Sequence, residues 1–378
     1  MRTSSPERPG IPRRPARLGA LLAATAVVAL LSGCMAGSGD AVEAAEAGTV
    51  RLADASPLAD PHDWEGPSTA LLPGGGSALS VEAGEPELPA TVTSHDLQGE
   101  REVEVDAAER ILGIDISGSV AQTIFALGLG ERVVGRDIST TIPEAAELPV
   151  VTGDGHTVEA ESVIALQPDV VVTDGSIGPD DVVLQLRDVG ISVVYVDPGT
   201  GLDAPAELAR QVGAALGVPD AGEELARSLD EAIEAKAAEI AAVAPADPGD
   251  RLRIVFLYIR GGSGIYYLFG AESGADSLIE ALGGIDIAGE QGWTGMRPMT
   301  DEALVAADPD LILVMTHGLE STGGVEGLLE AQPSVALTTA GEKRRIVDME
   351  DGQILAFGPR TPEVLDALAV AIYAPDAR

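Results

Sequence analysis

Cysteine is nearly absent from this chain: one residue in 378, at position 34. A single thiol excludes any internal disulfide and leaves no Cys pair to hold a metal. Positive charge is scarce too, with 23 Lys and Arg against 61 Asp and Glu and a formal charge of −38. Removing the segment before Cys34, which carries five Arg and one Glu, takes that charge to −42. So acidic a chain argues against nucleic acid or an anionic membrane surface as its main partner, and it equally fits a salt-tolerant or GC-rich source. Neither an HExxH nor a GxSxG constellation is present, which argues against metalloprotease and nucleophile-elbow chemistry.

The N-terminus carries a sharper signal. Arg8, Arg13, Arg14 and Arg17 form a basic region, and the apolar run Leu18–Leu31 follows. Fourteen residues are too few for a permanent span, which needs about 20, so residues 1–33 read as a signal peptide. The run ends in Leu31-Ser32-Gly33-Cys34, similar to the lipobox that directs diacylation of a bacterial Cys. A free thiol is the competing reading of Cys34, and the twin Arg13-Arg14 leaves Tat or Sec export open. Residues 34–86 are rich in Ala, Gly, Pro and acid without sustained periodicity, so they read as a flexible tether in which His62 and Trp64 are solvated.

Beyond the tether, residues 87–218 and 246–378 each alternate β-branched strands with amphipathic helices, the pattern of a parallel sheet covered on both faces. Between them, residues 219–245 form one long helix. Leu225, Leu229, Ile233 and Ile240 recur at helical spacing, Asp220 and Glu223 suggest a capping box, and Pro245 and Pro248 stop the run. The two halves repeat one plan. Ala126-Leu127-Gly128 is echoed by Ala281-Leu282-Gly283, and the stretch from Thr157 through Pro168-Asp169 into Val170–Val172 is echoed from Thr300 through Pro309-Asp310 into Leu311–Val314. Two copies of one supersecondary unit are expected.

These features, with ISGSVAQTIFALGLGERVVGRD at 116–137 and VEAESVIALQPDVVVT at 158–173, resemble the substrate-binding lipoproteins of ABC importers for siderophores, haem and cobalamin. The segments GRDISTTIPEAAELPVVT, FLYIRGG and FGPRTP are more narrowly similar to the haem-binding, HmuT-type lipoproteins of actinobacteria. The resemblance runs from Leu88 to the C-terminus. It implies an α/β fold of two Rossmann-like lobes joined by one long connecting α-helix (the class III, helical-backbone form), no enzymatic activity, and a lipid-anchored binder on the outer face of the cytoplasmic membrane. The implied ligand is haem, handed to an ABC permease and its ATPase; surface haem-relay proteins are a further implied partner, and the protein itself is expected to be a monomer. A ferric siderophore or cobalamin is the alternative ligand.

By that resemblance His156 and Tyr258 match the two axial iron ligands, one per lobe. The residues themselves agree. Both fall at carboxyl ends of expected strands, where open α/β sheets gather ligands. His156 lies just before a helix, whose positive end favours a neutral imidazole. Arg260, two residues after Tyr258, projects to the same face of a strand and is expected to favour the phenolate, a ligand suited to ferric haem. Taken singly, a loop His is ordinarily just exposed and a strand-end Tyr ordinarily packs; the pairing across two lobes carries the reading. Tyr266, Tyr267, His317, Met296 and Met315 are reserve ligands, His317 foremost. Arg136, Arg297 and Arg360 are candidates to hold propionates, with structural ion pairs as the competing role, and Trp293, Phe269 and Phe357 are candidate apolar walls or core residues. The family docks through one Glu per lobe, matched by Glu161 and Glu272, although a Glu at a helix start also simply complements the helix dipole.

Overall fold

The computed structural model describes residues 49–377, which form one compact unit. The signal segment 1–33, Cys34 and the residues up to 48 lie outside the described residues. In chain order the elements are β1 (Ser68–Ala70), β2 (Ala90–Ser94), β3 (Arg101–Val105), β4 (Ile111–Ile114), α1 (Ser119–Ala126), α2 (Ala160–Leu166), β5 (Val170–Thr173), α3 (Asp180–Asp188), β6 (Ser192–Tyr195), α4 (Ala204–Ala215) and α5 (Pro219–Val243). There follow β7 (Arg253–Arg260), β8 (Ile265–Phe269), α6 (Ala275–Ala281), β9 (Ile285–Asp286), α7 (Ile287–Glu290), β10 (Met296–Pro298), α8 (Asp301–Ala307) and β11 (Leu311–Met315). The chain closes with α9 (Thr316–Glu320), α10 (Gly324–Ala331), α11 (Pro333–Ala336), α12 (Thr339–Glu342), β12 (Ile346–Met349) and α13 (Thr361–Tyr373).

The N-terminal lobe is built on a parallel sheet, β4-β5-β6, flanked by the antiparallel hairpin β2–β3. The C-terminal lobe has a larger mixed sheet in the order β1-β12-β11-β7-β8-β10, with β9 added on β7. β7, β11 and β12 run parallel and are buried on both faces, so β7 reads as a continuous apolar run: Ile254 and Phe256 enter one core, Val255, Leu257 and Ile259 the other.

The repeat seen in the sequence is a structural one. Each copy enters a helix through a left-handed Gly N-cap, Gly118 (φ 74°) before α1 and Gly274 (φ 85°) before α6, and leaves through Leu-Gly. In each copy a second helix ends on a left-handed residue before proline, Gln167 (φ 48°) after α2 and Asp308 (φ 42°) after α8. The Asp after that proline then binds the start of the neighbouring strand: Asp169 accepts from the N–H groups of Glu109 and Arg110, Asp310 from that of Arg253. The two copies start their second helices differently. Thr300 caps α8 through Ala303, but α2 begins at Ala160 with Glu159 as N-cap, so Thr157 caps nothing.

Helix α5 starts at Pro219, in the first-turn position where a missing N–H costs nothing. Asp220 therefore lies inside the helix rather than at its cap, and Glu223 pairs with Arg210 at 2.9 Å instead of closing a capping box. Its buried stripe is divided between two cores. Leu225, Ala226 and Leu229 belong to the N-terminal core, and Ile233 and Ile240 to the C-terminal one. Against α4 it packs through Gly213 and Gly222, and a Cβ added at Gly213 would lie 2.7 Å from the Gly222 Cα.

The expectation of a tether reaching to residue 86 fails for residues 49–86. Leu52 is buried in the C-terminal core, β1 adds a parallel strand to β12, Leu79 and Val81 pack on the N-terminal core, and the Val81 N–H donates to the Ala126 carbonyl at 2.8 Å. His62 and Trp64 are docked rather than solvated: His62 Nε2 lies 3.0 Å from the Asp250 carbonyl and Trp64 Nε1 donates to Gly66. Short apolar anchors spaced too irregularly for a periodic signal explain why the segment read as disordered. Substituting Gly213→Val should cost about 1–3 kcal/mol of stability through overpacking. Urea unfolding checks this against Gly262→Ala, whose added Cβ meets nothing within 4 Å.

Candidate functional site

A cleft of about 570 Å³ opens between the lobes, within the size range of small-molecule sites. The N-terminal lobe contributes Ile116, Ser117, Ile138, Ser139, Thr141 and His156 to its walls; the C-terminal lobe contributes Tyr258, Arg260, Met315 and His317, with Glu350, Asp351, Leu355 and Ala356. Ile116 and Ser117 follow β4, Tyr258 and Arg260 lie in the last three residues of β7, Met315 ends β11, and Glu350 and Asp351 follow β12, so both sheets turn carboxyl ends of strands to the cleft.

His156 and Tyr258, singled out from sequence, line this one cleft from opposite lobes. The local reason for the imidazole's place differs from expectation. His156 ends its own 3₁₀ turn in left-handed backbone (φ 62°), and three residues separate it from α2, so it does not lead directly into that helix. Its orientation comes from Ser139, whose Oγ lies 3.2 Å from Nδ1. The loop carrying Ser139 is braced in turn: Ile138 N–H donates to Thr152 Oγ1, and Gly118 leaves room for the Ser139 carbonyl, which a Cβ there would meet at 2.7 Å. Asp137, fully buried, accepts from the Asp115 N–H and from both the N–H and hydroxyl of Thr140. Burial, reinforced by the nearby Asp115 charge, pushes the Asp137 carboxyl up to about 6.

On the other lobe Tyr258 stacks on Phe269 (ring centroids 6.0 Å apart), which stacks on Phe256 at 5.1 Å. Phe269 thus backs the tyrosine rather than forming cleft wall. The Arg260 guanidinium lies 4.8 Å from the Tyr258 ring centroid and 3.3 Å from Asp351 Oδ2. Asp351 Oδ1 accepts from the His317 N–H at 2.9 Å and lies 3.4 Å from His317 Nδ1. Burial raises the Glu350 carboxyl beside it, with the Asp351 charge adding to the effect.

Among the reserve ligands His317 and Met315 line the cleft. Tyr267 pairs directly with Tyr258 across the ladder and shares its face, whereas Tyr266 packs on the opposite core. Met296 is not among the lining residues. Of the four arginines named from sequence, Arg260 alone lines the cleft among the described residues. Arg136 donates to the carbonyls of Asp137 and Thr140 and shapes their loop. Arg297 pairs with Leu268, one residue out of phase with Pro298 and Tyr267, so strand alternation turns it away from Tyr258. Arg360 donates to the Pro73 carbonyl and lines a separate, small gap beside the cleft; burial lowers its pKa. Phe357 lines that gap too, and Trp293 packs on a core. Sequence reading passed over Ser139 and Asp351 because their roles are contacts between distant segments. Glu161 and Glu272 are exposed, near the starts of α2 and α6.

Comparison with known proteins decides the family. Residues 115–351 match the periplasmic binding protein family. This chain belongs to that family. Its members are substrate-binding proteins of ABC transporters rather than enzymes, working with a permease and an ATPase. The periplasmic binding protein described here has the class III form, two lobes joined by a long helix. It is similar to the crystal structure of the haem-binding protein HmuT, with 36% identity and a TM-score of 0.75 over 83% of this chain and 99% of that one. Solved variants of that protein carry a His→Ala, a Tyr→Ala or an Arg→Ala substitution. It is also 28% identical to an ABC transporter substrate-binding lipoprotein of Bacillus subtilis, over 69% of this chain and 79% of the relative. A cobalamin-binding protein of Halobacterium salinarum is 27% identical over 78% and 75%.

Asp137 binds its proton more tightly folded than unfolded, because its carboxyl moves from an ordinary 3.8 to about 6. Its contribution to stability is complete below pH ~3.8 and is lost as pH rises through about 6, amounting to at most about 3 kcal/mol. Urea unfolding from pH 4 to 7 should therefore show wild-type stability falling relative to Asp137→Asn, since the other carboxylates titrate in both proteins.

Proposed function

We propose that this protein captures ferric haem in the interlobe cleft and delivers it to an ABC permease. The observation that carries the reading is the position of His156 and Tyr258, one from each lobe, on a single cleft of about 570 Å³. A planar ligand lying between the lobes would present its two axial iron positions to these two side chains. Neutral imidazole supplies nitrogen and the phenol, once deprotonated, supplies a hard oxygen suited to ferric iron. Arg260, stacked on Tyr258, brings positive charge to that oxygen and is the guanidinium available to a propionate.

Two further observations support haem. Ile116 and Ile138 stand about half exposed, at 52% and 50%, on the N-terminal wall of the cleft. A flat apolar macrocycle would cover them, whereas a hydrophilic siderophore would gain nothing there. The solved variants of HmuT replace one His, one Tyr and one Arg, the residue types found here at 156, 258 and 260. Cobalamin stands as the second reading, on the strength of the Halobacterium relative. Delivery would use Glu161 and Glu272 as exposed docking residues on the permease. Cys34 would carry the lipid that holds a monomer at the outer face of the cytoplasmic membrane, within reach of surface haem-relay proteins.

Titration with ferric haem should give a saturating Soret shift and a phenolate charge-transfer band. Tyr258→Ala should abolish that band. No haem binding by the wild type, together with tight cobalamin or siderophore binding, would overturn the reading. In the same assay Ser139→Ala, which frees the imidazole of its Nδ1 partner, should speed haem release roughly 10-fold, with Ser139→Thr restoring most of the loss.

A further inference from the structure

We propose that His317 is a second iron-binding group of the C-terminal lobe, one that takes the haem iron through Nε2 when the bond to Tyr258 is broken. The proposal rests on the haem reading above. Sheet register brings the residues together. Val314 pairs with Leu257 and Met315 with Met349, so Tyr258, near the end of β7, lies level with Met315, the last residue of β11. His317 then stands in the first turn of α9 and Asp351 just beyond β12, joined by the hydrogen bond from the His317 N–H to Asp351. His317 lines the same cleft as His156 and Tyr258, and its side chain is 65% exposed.

Asp351 makes this histidine more than a solvated surface residue. Its Oδ1 holds the His317 backbone N–H at 2.9 Å and lies 3.4 Å from Nδ1. The negative charge of Asp351 beside Nδ1 favours a proton on that nitrogen over Nε2, which leaves the Nε2 lone pair for a metal; metal-bound histidines commonly have a carboxylate on their other nitrogen. Among the described residues no protein group binds Nε2. The other oxygen of Asp351 contacts Arg260, which covers the Tyr258 ring. One carboxylate therefore positions both the cation beside the tyrosine and the imidazole next to it.

His156, Tyr258 and His317 thus line one cleft for two axial positions. In the exchange the phenolate leaves iron with its electron pair and takes a proton from water. His317 Nε2 donates its own pair in replacement, and the iron stays ferric throughout. Haem would then pass from a strong anionic ligand to a weaker neutral one before leaving the protein, so that release proceeds in two smaller steps.

The test compares wild type, His317→Ala, Tyr258→Ala and Tyr258→Ala/His317→Ala, each loaded with ferric haem and followed by absorption, electron paramagnetic resonance and transfer to apomyoglobin. We expect His317→Ala to keep the wild-type spectrum. Tyr258→Ala should lose the phenolate band yet remain six-coordinate and low-spin, with two imidazoles. The double variant should become five-coordinate and high-spin and release haem at least 10-fold faster than Tyr258→Ala. Identical spectra and release rates for Tyr258→Ala and the double variant would overturn the proposal, as would a five-coordinate Tyr258→Ala. Absence of haem binding by the wild type is a separate result and overturns the haem reading itself.

Discussion

The fold depends on one helix having its side chains in two cores at once. Leu225 and Leu229 of α5 are buried in the N-terminal lobe, Ile233 and Ile240 in the C-terminal lobe. Rotating or sliding either lobe about α5 would withdraw one of these pairs from its core, at about 1.5–3 kcal/mol for each fully exposed side chain. Residues 49–86 add a second crossing. They pair with β12, hold Arg360 through the Pro73 carbonyl and then bind the Ala126 carbonyl on the other lobe. Two crossings, one of them a continuous helix, favour small adjustments of cleft width over wide hinge opening.

A cleft braced in this way suits the proposed ligand, which is rigid, flat and held by metal coordination. Coordination bonds have short fixed lengths, so two opposed ligating groups work only if their separation is set in advance. On the N-terminal side the setting is done by hydrogen bonds: Asp137 and Gly118 place the loop of Ser139, and Ser139 faces the His156 ring. On the C-terminal side it is done by aromatic stacking, Phe256 on Phe269 on Tyr258. The two lobes share a repeat in their backbone plan but brace their cleft groups by different means.

Charge follows the same economy. The protein is strongly acidic, yet the cleft holds one guanidinium and two imidazoles facing Glu350 and Asp351. The three other arginines expected there lie elsewhere. Arg136 and Arg360 hold backbone carbonyls, and Arg297 stands on the far side of an edge strand. A sequence shows that a cation follows a strand; it does not show the register, and a shift of one residue reverses the face. The same limit hid the strap. Leu52, Leu79 and Val81 have no period to betray them, because each reaches a separate element.

Local pattern alone determined the two α/β halves, their repeat and the connecting helix with its four buried apolar residues, all of which depend on periodicity or on Gly and Pro punctuation, short-range properties of the chain. The pair His156 and Tyr258 came from the resemblance to a haem-binding family, with which their expected positions agreed. Only the tertiary structure decided what surrounds the pair: Ser139 against His156, Asp351 joining Arg260 to His317, and the strap across both lobes. Those contacts join segments from 17 to 287 positions apart in the chain. Residue type says such groups are able to bind; only folding brings them within about 3 Å, the distance at which hydrogen bonds act.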